Sequence, residues 1–306
     1  MWSVSDARTY RRCPRQWYYK HLVASATAKD EFRRKVHLLS KLQSVSAWRG
    51  QIVDDVISQL VVERLRQRQK VTLDEAKRLA QQRFQSELAY AIQHAKSNGD
   101  SHSGSDFVAL HALHYQGSIA QEELDVARRE IDQALTSLFG MDPLKSDLKT
   151  ASLLLPQRML VFEHSGASVR AVPDLIAFFH ERAPLIVDWK VHTFGIREAW
   201  LQLAVYAMAL TRCKPHKDFP NGLTQFSATD IELVEAQLLT GMIRRYRLEP
   251  DELERAELYI AESISEIDAA VDGRKREELN EEDFGTTSYS ATCQSCSYRE
   301  VCWRTT

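Results

Sequence analysis

Two apolar runs flank a four-residue turn: Asp174-Leu175-Ile176-Ala177-Phe178-Phe179 and Pro184-Leu185-Ile186-Val187-Asp188-Trp189-Lys190 lie on either side of His180-Glu181-Arg182-Ala183. No other segment constrains the fold as much. Short apolar runs bounded by turn residues read as buried strands, so an antiparallel pair inside a sheet is predicted. A turn centred on Glu181 pairs residues whose numbers sum to 362, which sets Asp174 opposite Asp188. Side chains alternate along a strand, so Asp188 and Lys190 share a face and Trp189 points to the other. Two carboxylates about 5 Å apart repel each other unless a cation lies between them, and oxygen ligands suit Mg²⁺ or Mn²⁺. Such an ion lowers the pKa of a bound water and neutralises phosphate charge. Lys190 beside it can orient the nucleophile, a set suited to phosphodiester hydrolysis. The same letters also fit two surface aspartates and a lysine at the end of a buried strand, because D-x-K is common by chance.

The flanking chain reads as helical before this segment and mixed after it. Ser3 or Ser5 can cap a first helix, and Pro14 can open a second. After Gly50, Ile52, Val53, Val56, Ile57, Leu60, Val61 and Leu65 recur near the helical period. Further helices are expected from Thr72 or Asp74 to His94 and from Gln121 to Leu138, with a flexible loop at 97–105. Strands are expected at 159–162 and 169–172 around a turn at 164–168. A helix at 197–210, a strand at 231–236 and a charged helix at 251–271 follow. The predicted organisation is a helical lobe over 1–150, a sheet-bearing core over 151–240 and a C-terminal segment over 241–306. With 44% hydrophobic residues and no apolar run near the ~18 that cross a bilayer, a folded protein without membrane contact is expected. The amino terminus lacks the pattern of a signal peptide, so a cytoplasmic location is expected.

Charge and cysteine are both distributed unevenly. Residues 1–50 hold 11 Lys/Arg and 3 Asp/Glu, while residues 230–283 hold 7 basic and 17 acidic side chains, around a net charge of −2. Arg8, Arg11, Arg12, Arg15 and Lys20, interleaved with Tyr10, Trp17, Tyr18 and Tyr19, fit a surface that contacts phosphates and stacks on bases. They fit a packed aromatic core equally. Cys293, Cys296 and Cys302 have C-x2-C-x5-C spacing, and Cys13 stands at the opposite end of the chain. Four such thiolates can hold Zn²⁺ or an iron–sulfur cluster, which spacing does not separate. Cys213 has no partner by spacing.

Pro173-Asp174, Asp188-Trp189-Lys190 and Gln202-Leu203-Ala204-Val205-Tyr206 together resemble the PD-(D/E)XK nuclease superfamily, and the Q-x3-Y element resembles its RecB-like branch. The resemblance implies a restriction-endonuclease-like α/β fold, a mixed sheet flanked by helices with a large N-terminal helical lobe. Asp174 and Asp188 would be metal ligands, joined by the Trp189 backbone carbonyl; Lys190 would be the catalytic lysine, and Gln202 and Tyr206 would support the site. Members of the branch carry a His in a G-x-x-v-H context, where this chain has Gly50-Gln51-Ile52-Val53-Asp54, so Asp54 would take the place of that ligand. Tyr10-Arg11-Arg12-Cys13-Pro14-Arg15-Gln16-Trp17-Tyr18 with the C-terminal cysteines resembles the AddB-like and CRISPR-associated members, in which the four cysteines bind a [4Fe–4S] cluster. The cluster would close a loop over nearly the whole chain.

The expected function is metal-dependent DNA hydrolysis with Mg²⁺ or Mn²⁺, exonuclease favoured over endonuclease, on single strands or duplex ends, in repair, recombination or phage defence. The chain has no G-x4-G-K-[ST] loop, so any motor, such as a helicase or a defence-system subunit, would act in trans. The alternative is a catalytically inactive DNA-binding or scaffold subunit, for which the change at Asp54 speaks. A zinc-stapled protein of unrelated function is a third.

Overall fold

The strand pair around Glu181 forms in the expected register. In the computed structural model, which describes residues 1–94, 107–192, 196–220 and 225–303, Leu175 pairs with Val187, Ile176 with Ile186 and Ala177 with Leu185. The loop expected at 97–105 lies outside the described residues. Nine strands are described: β1 (Leu42–Gln43), β2 (Ala109–Leu110), β3 (Leu153–Pro156), β4 (Leu160–His164), β5 (Ala167–Ala171), β6 (Leu175–Phe178), β7 (Leu185–Lys190), β8 (Glu232–Gln237) and β9 (Met242–Tyr246). The chain divides into two units. The first comprises Met1–Val4, Arg49–Gln82 and Val126–Glu262; the second comprises Ser5–Trp48, Arg83–Asp125 and Ser263–Thr306.

The first unit carries a five-stranded sheet in the order β3-β6-β7-β8-β9. Only β7 and β8 are parallel; the other neighbours are antiparallel. Parallel neighbours need a crossover connection, and the helix Ile196–Arg212 provides it. That helix is apolar nearly all round, with Leu203, Ala204, Val205, Ala207, Met208, Ala209 and Leu210 buried, because it packs on β7 and β8 and also on the separate β4–β5 hairpin. The hairpin turns at Ser165-Gly166, both at positive φ (48° and 77°), a turn that glycine makes easily. The mixed sheet with its helices is the restriction-endonuclease-like α/β architecture that the resemblance implies.

Two elements differ from the expected pattern. β9 is an edge strand with exposed Met242 and Arg245, so it lacks the apolar run that marks β6 and β7. The amphipathic helix begins at Val45, ahead of Gly50, because Ser44 Oγ accepts the Ala47 N–H at 3.1 Å and starts it there. It continues through a wider π-type segment, Ile57–Val62, to Arg66.

In the second unit Cys13 is the extended residue before a short helix, Pro14–Tyr18, with proline in its first turn. The aromatic side chains around it pack as core. Tyr19 (1% exposed) stacks on Tyr298 at 5.5 Å, Tyr18 stacks on Phe284 at 4.9 Å, and Trp17 is buried against Leu279 and Phe284. The neighbouring cations are engaged as well: Arg11 with Glu266, Lys20 with Asp6, and Arg15 with the Phe284 carbonyl at 3.1 Å. Of the two readings of this segment, packing is the one these contacts favour. Among the described residues no helix is long and apolar enough to cross a membrane.

Candidate active site

Asp174 lies one residue before β6, and the strand register carries it to Asp188 in β7. Asp174 Oδ2 accepts the Trp189 N–H at 2.8 Å, capping the ladder beyond the end of β6. The Trp189 side chain is buried, and alternation places it on the far face of the sheet. Asp188 is 1% exposed. Apart from the Lys190 ammonium, 2.5 Å from Oδ2, neither of its oxygens has a hydrogen-bond partner. Lys190 Nζ also donates to Gln202 Oε1 at 3.2 Å, and Gln202 Nε2 donates to Tyr206 Oη at 2.5 Å. The first turns of the crossover helix therefore hold Lys190 from behind, since residues four apart share a helix face.

Asp54 approaches from the helix Val45–Val56, half-buried, and its Oδ2 accepts from Gln157 Nε2 at 2.5 Å. Burial pushes its carboxyl up to about 6; Gln157 opposes this, and Asp55 and Asp188 add to it. Burial likewise raises Asp174 well above the usual carboxylate range, and the negative charges of Asp188 and Asp54 raise it further. Asp188 is raised by burial, with Lys190 opposing and Glu235 adding to the rise. Tyr206 is raised by burial and by the three aspartates together. Asp188 raises both Asp54 and Asp174, and Asp54 raises Asp174, so the three form a site of excess negative charge; a buried carboxylate with only the Lys190 ammonium against its oxygens fits a hard divalent cation.

The four cysteines also meet, in the second unit. Cys13, Cys293, Cys296 and Cys302 line one pocket with Gln16 and Arg299. Burial pushes the Cys296 thiol up to about 11, the Tyr298 N–H at 3.4 Å opposes this, and the other three cysteines raise it further. Four free thiols around one pocket fit a thiolate-held metal centre. Among the described residues no three His, Cys, Asp or Glu side chains are already closed up at metal-holding distances; the fit rests on donor chemistry and placement. Cys213 is buried on its own, its Sγ 3.8 Å from the Leu210 carbonyl.

Gln157 had no sequence signal. It follows the edge strand β3 with φ of 47°, left-handed for a residue that has a Cβ, and it ties two of the aspartates together. Its N–H donates to the Asp174 carbonyl at 3.0 Å while its side chain holds Asp54. Strain of this kind persists where surrounding contacts over-determine it. Glu235, 2% exposed and beside Asp188 in the β7–β8 register, was also missed, because it reads as an ordinary polar residue in a strand.

A family model of the PD-(D/E)XK nuclease superfamily matches residues 1–303. No curated protein matches the sequence. Among solved structures, the chain is similar to an exonuclease candidate from Eubacterium rectale, at 15% identity over 93% of this chain and 83% of that one, with a TM-score of 0.43. It is also similar to the protein SSO0001, at 12% identity over 62% of this chain and 79% of that one, with a TM-score of 0.29.

Proposed function

Because this chain belongs to the PD-(D/E)XK nuclease superfamily, we propose that it is a RecB-like, divalent-metal-dependent deoxyribonuclease acting on single strands or duplex ends, with a structural [4Fe–4S] cluster. The observation that carries this reading is Asp188, buried with only the Lys190 ammonium against its oxygens and with its charge acting on Asp174. Asp174, Asp188, Asp54 and the Trp189 carbonyl would hold Mg²⁺ or Mn²⁺. The ion supplies a water of lowered pKa and neutralises charge on the scissile phosphate.

The chain's own residues do the rest. Lys190, fixed by Asp188 and Gln202, presents its ammonium beside the reacting phosphate, where it orients the attacking water and stabilises added negative charge. Gln202 and Tyr206 keep that lysine from swinging out of line. Cys13, Cys293, Cys296 and Cys302 would hold the cluster, joining the two ends of the chain without a part in hydrolysis. A helicase or defence-system subunit would act as a partner in trans. The presence of Asp54 where the branch carries His favours a second reading, a DNA-binding subunit without catalysis.

The test is anaerobic purification of the full chain, with iron and sulfide measured and cleavage assayed on linear single-stranded, linear duplex and circular DNA with Mg²⁺ and with Mn²⁺. Degradation of linear but not circular DNA is expected. Cleavage of circles would make it an endonuclease, and DNA binding with no cleavage under either metal would favour the scaffold reading.

A further inference from the structure

The row of charges at the site continues past the groups assigned to chemistry. In the parallel register of β7 and β8, Glu235 lies beside Asp188 and Gln237 beside Lys190, and antiparallel β9 sets Arg244 opposite Glu235. Register partners share a sheet face, so Asp188, Glu235 and Arg244 form one line on the face that bears Lys190. Glu235 accepts from Gln237 Nε2 and lies 3.3 Å and 3.5 Å from Arg244 Nη1 through its two oxygens. An ion pair whose carboxylate is buried is seldom worth more to stability than apolar residues of similar size, which leaves stability a weak reason for it.

Arg244 is held without being used up. Its side chain is 30% exposed, and Nη1 makes its contact with Glu235. A guanidinium has five N–H donors in a rigid fork, and among the described residues no acceptor is assigned to Arg244 Nε or Nη2. The next residue behaves differently: Arg245, on the other face, places Nη1 on Glu232 and Nη2 on Asp147. A fork anchored on a buried carboxylate and open on its other edge is suited to phosphate oxygens.

The site needs such a group. Asp54, Asp174 and Asp188 gather negative charge where a polyanion would approach, and Lys190 is occupied by Asp188 and Gln202. Two strand spacings of about 4.8 Å separate the β7 and β9 backbones, close enough for neighbouring phosphates of one strand to meet both. We propose that Arg244, positioned by Glu235, binds a backbone phosphate flanking the one cleaved; this rests on the nuclease reading above.

The experiment measures binding of a labelled oligothymidine to the full chain, with Ca²⁺ in place of Mg²⁺, across a series of KCl concentrations, alongside steady-state cleavage with Mg²⁺. The variants are Arg244→Lys, Arg244→Gln and the double variant Glu235→Gln/Arg244→Gln, which leaves no buried charge unpaired and does not change the net charge. Losing one phosphate contact on a single strand makes the slope of log K against log salt shallower by about 0.7. That change is expected in both Gln variants, with KM raised about tenfold and kcat within about threefold of the parent. Arg244→Lys, which keeps the charge and loses the fork, should retain the slope with a smaller rise in KM. A folded double variant with the parent's slope and KM would make Arg244 a mere counter-ion and overturn the proposal. A parent protein that neither binds nor cleaves DNA would overturn the nuclease reading and this inference with it.

Discussion

Asp188 sits within a strand of the sheet and Asp174 just before the strand paired with it, whereas the four cysteines line their pocket from short helices and the turns beside them. Burial acts on both groups with opposite consequences. A carboxyl group is an anion at neutral pH, so burying several together stores repulsion that a cation relieves. A thiol is neutral there, and burial that pushes Cys296 up to about 11 keeps it so at little cost. On the proposed reading, the first region without a metal would be strained but backed by a sheet, and the second would be unstrained but without its link. Chemistry and stability should therefore fail separately.

The largest separation is expected from Lys190→Ala or Asp188→Asn. Each should lower kcat by about 10³-fold, measured on linear DNA, while circular dichroism and iron content stay those of the parent. Cys296→Ser should act the other way round. Iron and sulfide should be lost and Tm should fall by about 5 °C or more in calorimetry, with cleavage persisting at temperatures below the new transition. If Cys296→Ser abolished cleavage in a fully folded protein, the division of labour would be wrong.

Acid sharpens the contrast within the metal-free protein. Asp54 is raised from 3.8 to about 6, so the folded state binds its proton more tightly than the unfolded chain does. Stability contributed by that proton is greatest below pH ~4 and falls as pH rises through about 6. In chelator, Tm should decline across that window, Asp54→Asn should flatten the decline, and Mg²⁺ at pH 7 should restore the loss in the parent. The smallest effect concerns Gln157. Its Ala variant should lose about tenfold in activity and about 1 kcal/mol in urea unfolding. Gln157→Gly, which accepts φ of 47° freely, should recover stability without activity. Recovery of both would mean that the side chain on Asp54 does not matter.

Much of this molecule is readable from local pattern. The runs at 175–178 and 185–190 are apolar because both faces of β6 and β7 are covered, and turn length sets their register. Asp174, Asp188 and Lys190 follow from that register, and Gln202 and Tyr206 from helical spacing. β9 and Gln157 do not follow. An edge strand needs no apolar run, and a left-handed glutamine is stable only because of Asp54 and Asp174, which lie far away in sequence.

The two metal-suited donor sets and the central strand pair thus follow from residue type and short spacing. Tertiary structure alone decided that Asp54 reaches the aspartate pair, that Arg11 and Lys20 are spent on Glu266 and Asp6, and that Glu235 and Arg244 prolong the charged row beside Asp188. Those relations join positions dozens to hundreds of residues apart, or pair strands through a crossover, and the energy that selects them is long-range packing and electrostatics that no local period records.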